Sequence, residues 1–232
     1  MRLKGFGAFA LMLMLGSVSS GRAGVVFDNL AQVPQGGDHV ATETVNPAYY
    51  GPLANSFKTG PGPDNYLFNE LTVSLRSDLA HIVPGGNVLI TLMADAGGSP
   101  APGAFLGVIG QLNDTDLTAY FQNYTFNLDT STPIRLSANT RYWVQVQAGT
   151  AGDTSAEWAY GADATGTGVA GEYYATGLGA NQQVLLNSDA TPPYIMAANT
   201  VVPEPSSFVL VGLGLAGLGV GRLSRRRKAT SV

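Results

Sequence analysis

Apolar and polar side chains alternate along Tyr66–Arg76 (YLFNELTVSLR), with Leu67, Leu71, Val73 and Leu75 on one face and Phe68, Glu70, Thr72, Ser74 and Arg76 on the other. A period of two predicts a half-buried β-strand. Pro84-Gly85-Gly86-Asn87 breaks the chain as a turn, and Val88–Ala94 (VLITLMA) then predicts a more continuously buried strand. After a second break at Ala96-Gly97-Gly98-Ser99-Pro100, strand character resumes over Ala104–Ile109. Tyr124–Leu128 and Arg141–Gln147 alternate again, the latter with Tyr142, Val144 and Val146 on one side. Shorter strands are predicted at Val25–Asp28, Ala54–Thr59, Glu157–Tyr160, Glu172–Ala175 and Gln183–Leu186. No stretch between residues 24 and 202 carries a helical period. Many short strands between Gly, Pro, Asn and Asp turns predict an all-β domain, a β-sandwich or jelly-roll-like fold. The glycine-rich stretch Gly161–Gly171 reads as either a long exposed loop or a flexible hairpin tip.

The two ends break this pattern. At the N-terminus, Arg2 and Lys4 precede an apolar run from Phe6 to Leu15, and Gly21-Arg22-Ala23 offers small side chains at both positions a signal peptidase must accept. Residues 1–23 therefore read as a secretory signal peptide cleaved after Ala23. At the C-terminus, residues 206–221 are uncharged and are followed by Arg222, Arg225, Arg226, Arg227 and Lys228. Sixteen helical residues at about 1.5 Å each reach roughly 24 Å, short of a hydrocarbon core of about 30 Å. This predicts a marginal transmembrane helix whose basic end lies in the cytoplasm, with everything before Pro203 on the exported side.

Charge divides the chain in the same way. Residues 1–23, 24–202 and 203–232 contribute +3, −11 and +4 to the net −4. The central segment is thus far more acidic than the whole, which excludes nucleic acid and an anionic membrane surface as its partners. With no cysteine, disulfides and thiol catalysis are excluded, and the domain at 24–202 must be held by its apolar core.

Val202-Pro203-Glu204-Pro205-Ser206-Ser207, a short glycine-rich apolar span from Phe208 to Val220 and the cluster Arg225-Arg226-Arg227 occur in that order. Together they resemble the PEP-CTERM sorting signal of Gram-negative bacteria. The resemblance covers about thirty residues at 203–232 and implies recognition of Pro203, Glu204 and Pro205 by an exosortase, a membrane-embedded cysteine protease. It further implies a precursor held transiently in the inner membrane and a mature domain displayed at the cell surface or released. The physical reading agrees: two prolines around one acid give an extended segment that cannot join the helix behind it and stays open to a protease.

Within the exported part, Asn55-Ser56-Phe57-Lys58-Thr59-Gly60, Leu71-Thr72-Val73, Asp95–Pro100 and Leu136–Val144 (LSANTRYWV) resemble the choice-of-anchor proteins, type R, which carry exchangeable sorting tails. That group implies no catalytic residues.

Candidate chemistry is sparse. Gly212-x-Gly214-x-x-Gly217 matches a dinucleotide fingerprint by letter, but it lies inside the predicted span, without the strand and acid that such a site needs. The two histidines, His39 and His81, have no nucleophile motif nearby and no zinc-ligand spacing, and read as solvated loop residues. Asn113-Asp114-Thr115-Asp116, taken with Asp95, clusters oxygen ligands suited to calcium, although the acidic-loop pattern with its terminal glutamate is absent. Tyr49, Tyr50, Trp158, Tyr160, Tyr173 and Tyr174 are candidates for stacking on sugar rings. The sequence expectation is a non-enzymatic surface or matrix protein without a cofactor, linked to exopolysaccharide or biofilm. The competing class is a carbohydrate-binding module or a glycan-active enzyme using Glu157 and Glu172 as paired carboxylates.

Overall fold

A computed structural model describes residues 23–41, 51–61, 65–128, 133–149, 153–176 and 183–201. They form thirteen strands: β1 (Ala23–Asp28), β2 (Gly36–Ala41), β3 (Leu53–Lys58), β4 (Tyr66–Ser77), β5 (Asn87–Asp95), β6 (Pro102–Asn113), β7 (Gln122–Asn127), β8 (Ile134–Leu136), β9 (Arg141–Ala148), β10 (Asp153–Tyr160), β11 (Tyr173–Thr176), β12 (Gln183–Leu186) and β13 (Met196–Val201). One sheet runs β1-β13-β4-β10-β2, with β7 and β8 also paired to the long strand β4. The other runs β12-β11-β3-β9-β5-β6. The all-β expectation holds, and the sheets form a sandwich-like arrangement.

The core lies between the sheets. Leu71, Val73 and Leu75 of β4, Trp158 of β10 and Met196 of β13 meet Phe57 of β3, Val88, Ile90 and Leu92 of β5, and Val144 and Val146 of β9. Phe57 and Phe68 stack across the gap with ring centroids 5.6 Å apart. This corrects strict alternation along β4, which put Phe68 on the polar face. The ladder to β13 pairs Asn199 with Glu70 but Thr200 with Phe68, so Asn69 is an extra residue on β4. A bulge reverses the side-chain parity. Tyr66 and Phe68 therefore point inward before it, and Leu71, Val73 and Leu75 after it.

Three strands have no clear sequence signal. In β2, two glycines stand where a side chain would collide. A Cβ at Gly36 would strike the Tyr160 hydroxyl, and one at Gly37 would lie 2.7 Å from Phe121 Cζ. Glycine here lets aromatic rings cross the strand. The three-residue β8 and the small-residue strand β13 are held by pairing to β4 rather than by propensity. The glycine-rich stretch is the long, largely exposed loop rather than a hairpin tip, since β10 and β11 do not pair, and it is tied to β1 where Asp28 and Thr167 exchange both backbone hydrogen bonds at 2.9 Å.

Among the described residues no helix is long and apolar enough to cross a membrane. The expected signal peptide at 1–23 lies outside the described residues except for Ala23, the first residue of β1, and the expected span at 206–221 lies wholly outside them.

Candidate functional site

The most concentrated chemistry sits on the outer face of the first sheet. Trp158 is buried in the core. Its neighbour Glu157 therefore points outward, and His39, paired directly with Glu157 across β2 and β10, shares that outer face. Between Glu157 and Asp153, β10 advances four residues while β2 advances only two, from His39 to Ala41. The excess forms a bulge, a device that re-aims side chains.

Asp114 fixes this bulge from below. It begins a short 3-10 turn after β6, and Thr154 Oγ1 donates to its Oδ1, while Ser155 N–H and Oγ donate to its Oδ2 at 2.5 and 2.9 Å. Asp153, at the start of the bulge, is thereby turned toward two imidazoles. His39 Nε2 lies 3.0 Å from its Oδ1, and His81 Nε2 lies 2.9 Å from its Oδ2. An ionised carboxylate only accepts, so each Nε2–H donates.

His81 arrives on a turn that is itself pinned to the bulge. Asp78 N–H donates to Ser155 O at 2.6 Å, His81 N–H returns to Asp78 O at 3.0 Å, and Ala80 N–H donates to Asp78 Oδ1 at 2.9 Å. The two imidazole rings stand edge to face with centroids 4.7 Å apart. Burial alone would raise the Asp153 pKa; hydrogen bonds from His39, His81 and the Thr154 N–H outweigh it and hold the carboxyl below its ordinary value. Beside the cluster, Glu157 is neutralised by Arg76 at 2.5 Å, and the Arg76 guanidinium lies 4.5 Å over the Phe121 ring.

Sequence reasoning missed this site: it misplaced His39 as a solvated loop residue, whereas for His81 the loop holds but not the solvation. His39 is in fact a buried strand residue, and His81 is half-buried. The contacts to Asp153 span 114 and 72 residues, so no local spacing announces them.

The calcium candidates do not converge. Asp95 ends β5 and accepts Trp143 Nε1–H at 2.7 Å. Asp114 is filled by the β10 bulge, and Asp116 caps its own turn through Asn113. Asn113 pairs with Asn87 at the opposite end of the nine-residue β5 from Asp95, so the steps along the strand at about 3.3 Å each put roughly 26 Å between them. Among the glycan candidates, Trp158 is wholly buried, donates Nε1–H to Ile195 O at 3.0 Å and stacks on Tyr194 at 4.6 Å, leaving no face for a sugar. Tyr160 packs against the core, and Tyr173 and Tyr174 are half-buried, Tyr173 under the Arg141 guanidinium. Tyr49 and Tyr50 lie outside the described residues. The proposed acid pair is split: Glu157 belongs to the first sheet, while buried Glu172, just before β11 of the second, accepts from Arg141 Nε at 2.8 Å and Ser56 Oγ at 2.6 Å. A groove lined by Asp28, Asn29, Gln32, Asp163 and Thr165 is bridged by the Gln32 side chain and presents no imidazole.

At the other functional end, β13 runs to Val201, between β1 and β4. Residues 201–228 match the family model described as the PEP-CTERM protein-sorting motif. The chain carries this sorting signal. The motif thus begins on the last residue of a strand inside the sheet, with no spacer of its own before Pro203. The PEP-CTERM motif implies export, membrane-associated sorting and processing by an exosortase. Its residues Pro203, Glu204, Pro205, Arg225, Arg226 and Arg227 lie outside the described residues. No curated protein and no solved structure matches the chain.

Proposed function

We propose that the chain is a non-enzymatic display protein: an acidic β-sandwich of the choice-of-anchor kind, held briefly in the inner membrane by its C-terminal span. An exosortase then releases it at Pro203-Glu204-Pro205 to the cell surface or matrix, where it associates with exopolysaccharide. The observation that carries this reading is the junction at Val201. The sorting motif starts where β13 ends, so the tail follows directly on the β-domain. The arginine partners of Glu157 and Glu172, on separate sheets, support a role without glycosidase chemistry.

The test is fractionation in a Gram-negative host that makes an exosortase. Full-length protein is expected in a processed, shorter form in the surface and matrix fractions, and to leave the matrix when the polysaccharide is digested. Removing residues 203–232 is expected to abolish retention and send the domain to the medium. Full-length protein that stays unprocessed, or an unchanged distribution after that deletion, would refute the sorting role. Retention indifferent to polysaccharide digestion would refute the matrix association alone.

A further inference from the structure

We propose that His39, His81 and Asp153 form a binding site for one divalent transition-metal ion of the zinc, cobalt or nickel class. The chain has only two histidines, and the fold brings both to a single carboxylate, one ring on each oxygen. Random placement of two imidazoles across a sheet and a loop has no reason to do this. Chelation does.

The donor set selects the ion. Two imidazole nitrogens and a carboxylate suit zinc and its neighbours, whereas calcium and magnesium require shells of oxygen. Three protein ligands leave a further position for water, as in an open zinc site. His81 lies in a turn whose Leu79, Ala80 and Ile82 are exposed, so solvent reaches the cluster from this turn, while His39 is buried.

Binding exchanges the two Nε2–H···Asp153 hydrogen bonds for metal bonds, each ring presenting an unprotonated nitrogen. One ligand atom from each of the three residues already lies within 4.8 Å of the others. Two ligand atoms of a tetrahedral zinc ion stand roughly 3.3 Å apart at the usual bond lengths. The remaining closure falls to His81, which rides on the Asp78–His81 turn. Around the ligands the supports expected of a metal centre are present: Thr154 N–H donates to Asp153 Oδ1 at 2.8 Å, and Asp114 holds the bulge that aims this carboxylate. Such outer contacts orient metal ligands. Arg76 beside the cluster is committed to Glu157.

The competing account is a purely hydrogen-bonded clasp fastening the turn to the sheet, and His81→Gln separates the two. A glutamine amide still donates to Asp153 but replaces imidazole with a poor ligand for these metals. Untagged full-length protein, purified in detergent and stripped with chelator, is titrated calorimetrically with zinc chloride. One ion per chain is expected, with a zinc-dependent rise in melting temperature. Losing only an outer-shell partner costs 10–100-fold in affinity, so His81→Gln and Asp153→Asn, which remove ligands, are each expected to weaken binding by at least about 100-fold. Absent zinc binding in the unmodified chain, or equal affinity in a folded His81→Gln variant, overturns the proposal. Equal binding of calcium overturns the assignment to this ion class. Should either variant misfold, cobalt substitution of the unmodified chain decides: visible d–d absorption showing nitrogen ligation supports the site, and the spectrum of hydrated cobalt refutes it.

Discussion

Asp114→Ala tests whether the β10 bulge depends on one buried carboxylate. Thr154 Oγ1, Ser155 N–H and Ser155 Oγ all donate to Asp114, and Thr154 and Ser155 are almost completely buried. After truncation the two hydroxyls can rotate toward other acceptors, but the Ser155 N–H is fixed by the backbone. A buried donor left without a partner costs about 1–3 kcal/mol, so the backbone amide and the partly re-satisfied hydroxyls together amount to roughly 3 kcal/mol. For a domain of this size each kcal/mol moves the melting temperature by about 2–4 °C, which predicts a fall of roughly 6–12 °C. Thermal unfolding of the full-length protein by circular dichroism reads this directly. Asp114→Asn keeps one acceptor oxygen but turns an amide donor toward the cluster, and is expected to fall between the two. Combining Asp114→Ala with Thr154→Val is expected to cost less than the sum of the two, by about 0.5–3 kcal/mol, because the residues share one network. A fall below about 2 °C for Asp114→Ala would show that the bulge is held by strand pairing alone, and the argument for a carboxylate anchor would fail.

Three further outcomes follow from the packing. Trp158→Ala removes a fully buried ring with its hydrogen bond to Ile195 O and is expected to cost about 3–5 kcal/mol in urea unfolding. Any glycan binding by the folded Trp158→Phe variant should equal that of the unmodified chain, since the ring never reaches the surface. Arg141→Ala strips buried Glu172 of its cation. Breaking a fully buried pair costs about 3–5 kcal/mol, and the partial exposure of Arg141 reduces the expected loss to roughly 2 kcal/mol, read as a lower denaturation midpoint at unchanged slope. Gly168 has φ +69°, and a Cβ there would collide with Val26 O. Gly168→Ala is therefore expected to cost more than about 1 kcal/mol and to raise hydrogen exchange at Asp28 and Thr167; an unchanged exchange rate would mean that the glycine-rich segment is not docked on β1.

The residues found in advance and those found only in the structure differ by the range of the interactions that define them. The sequence alone was enough for the all-β class, for most strands and for the sorting tail. Alternation and turn chemistry act over a few neighbouring residues, and the sorting motif matched at residues 201–228 is likewise a linear segment. Trp158, Asp114 and Glu157 were each noticed for their chemistry, but their roles were decided by partners on other strands: Tyr194 and Ile195, Thr154 and Ser155, and Arg76. Tertiary structure alone decided that Asn69 bulges and turns Phe68 into the core, and that two glycines make room for rings across β2. It also decided that His39 and His81 share Asp153. That meeting needs a strand, a turn and a bulge to be placed together across separations of 114 and 72 residues, and no periodicity along the chain encodes such a coincidence.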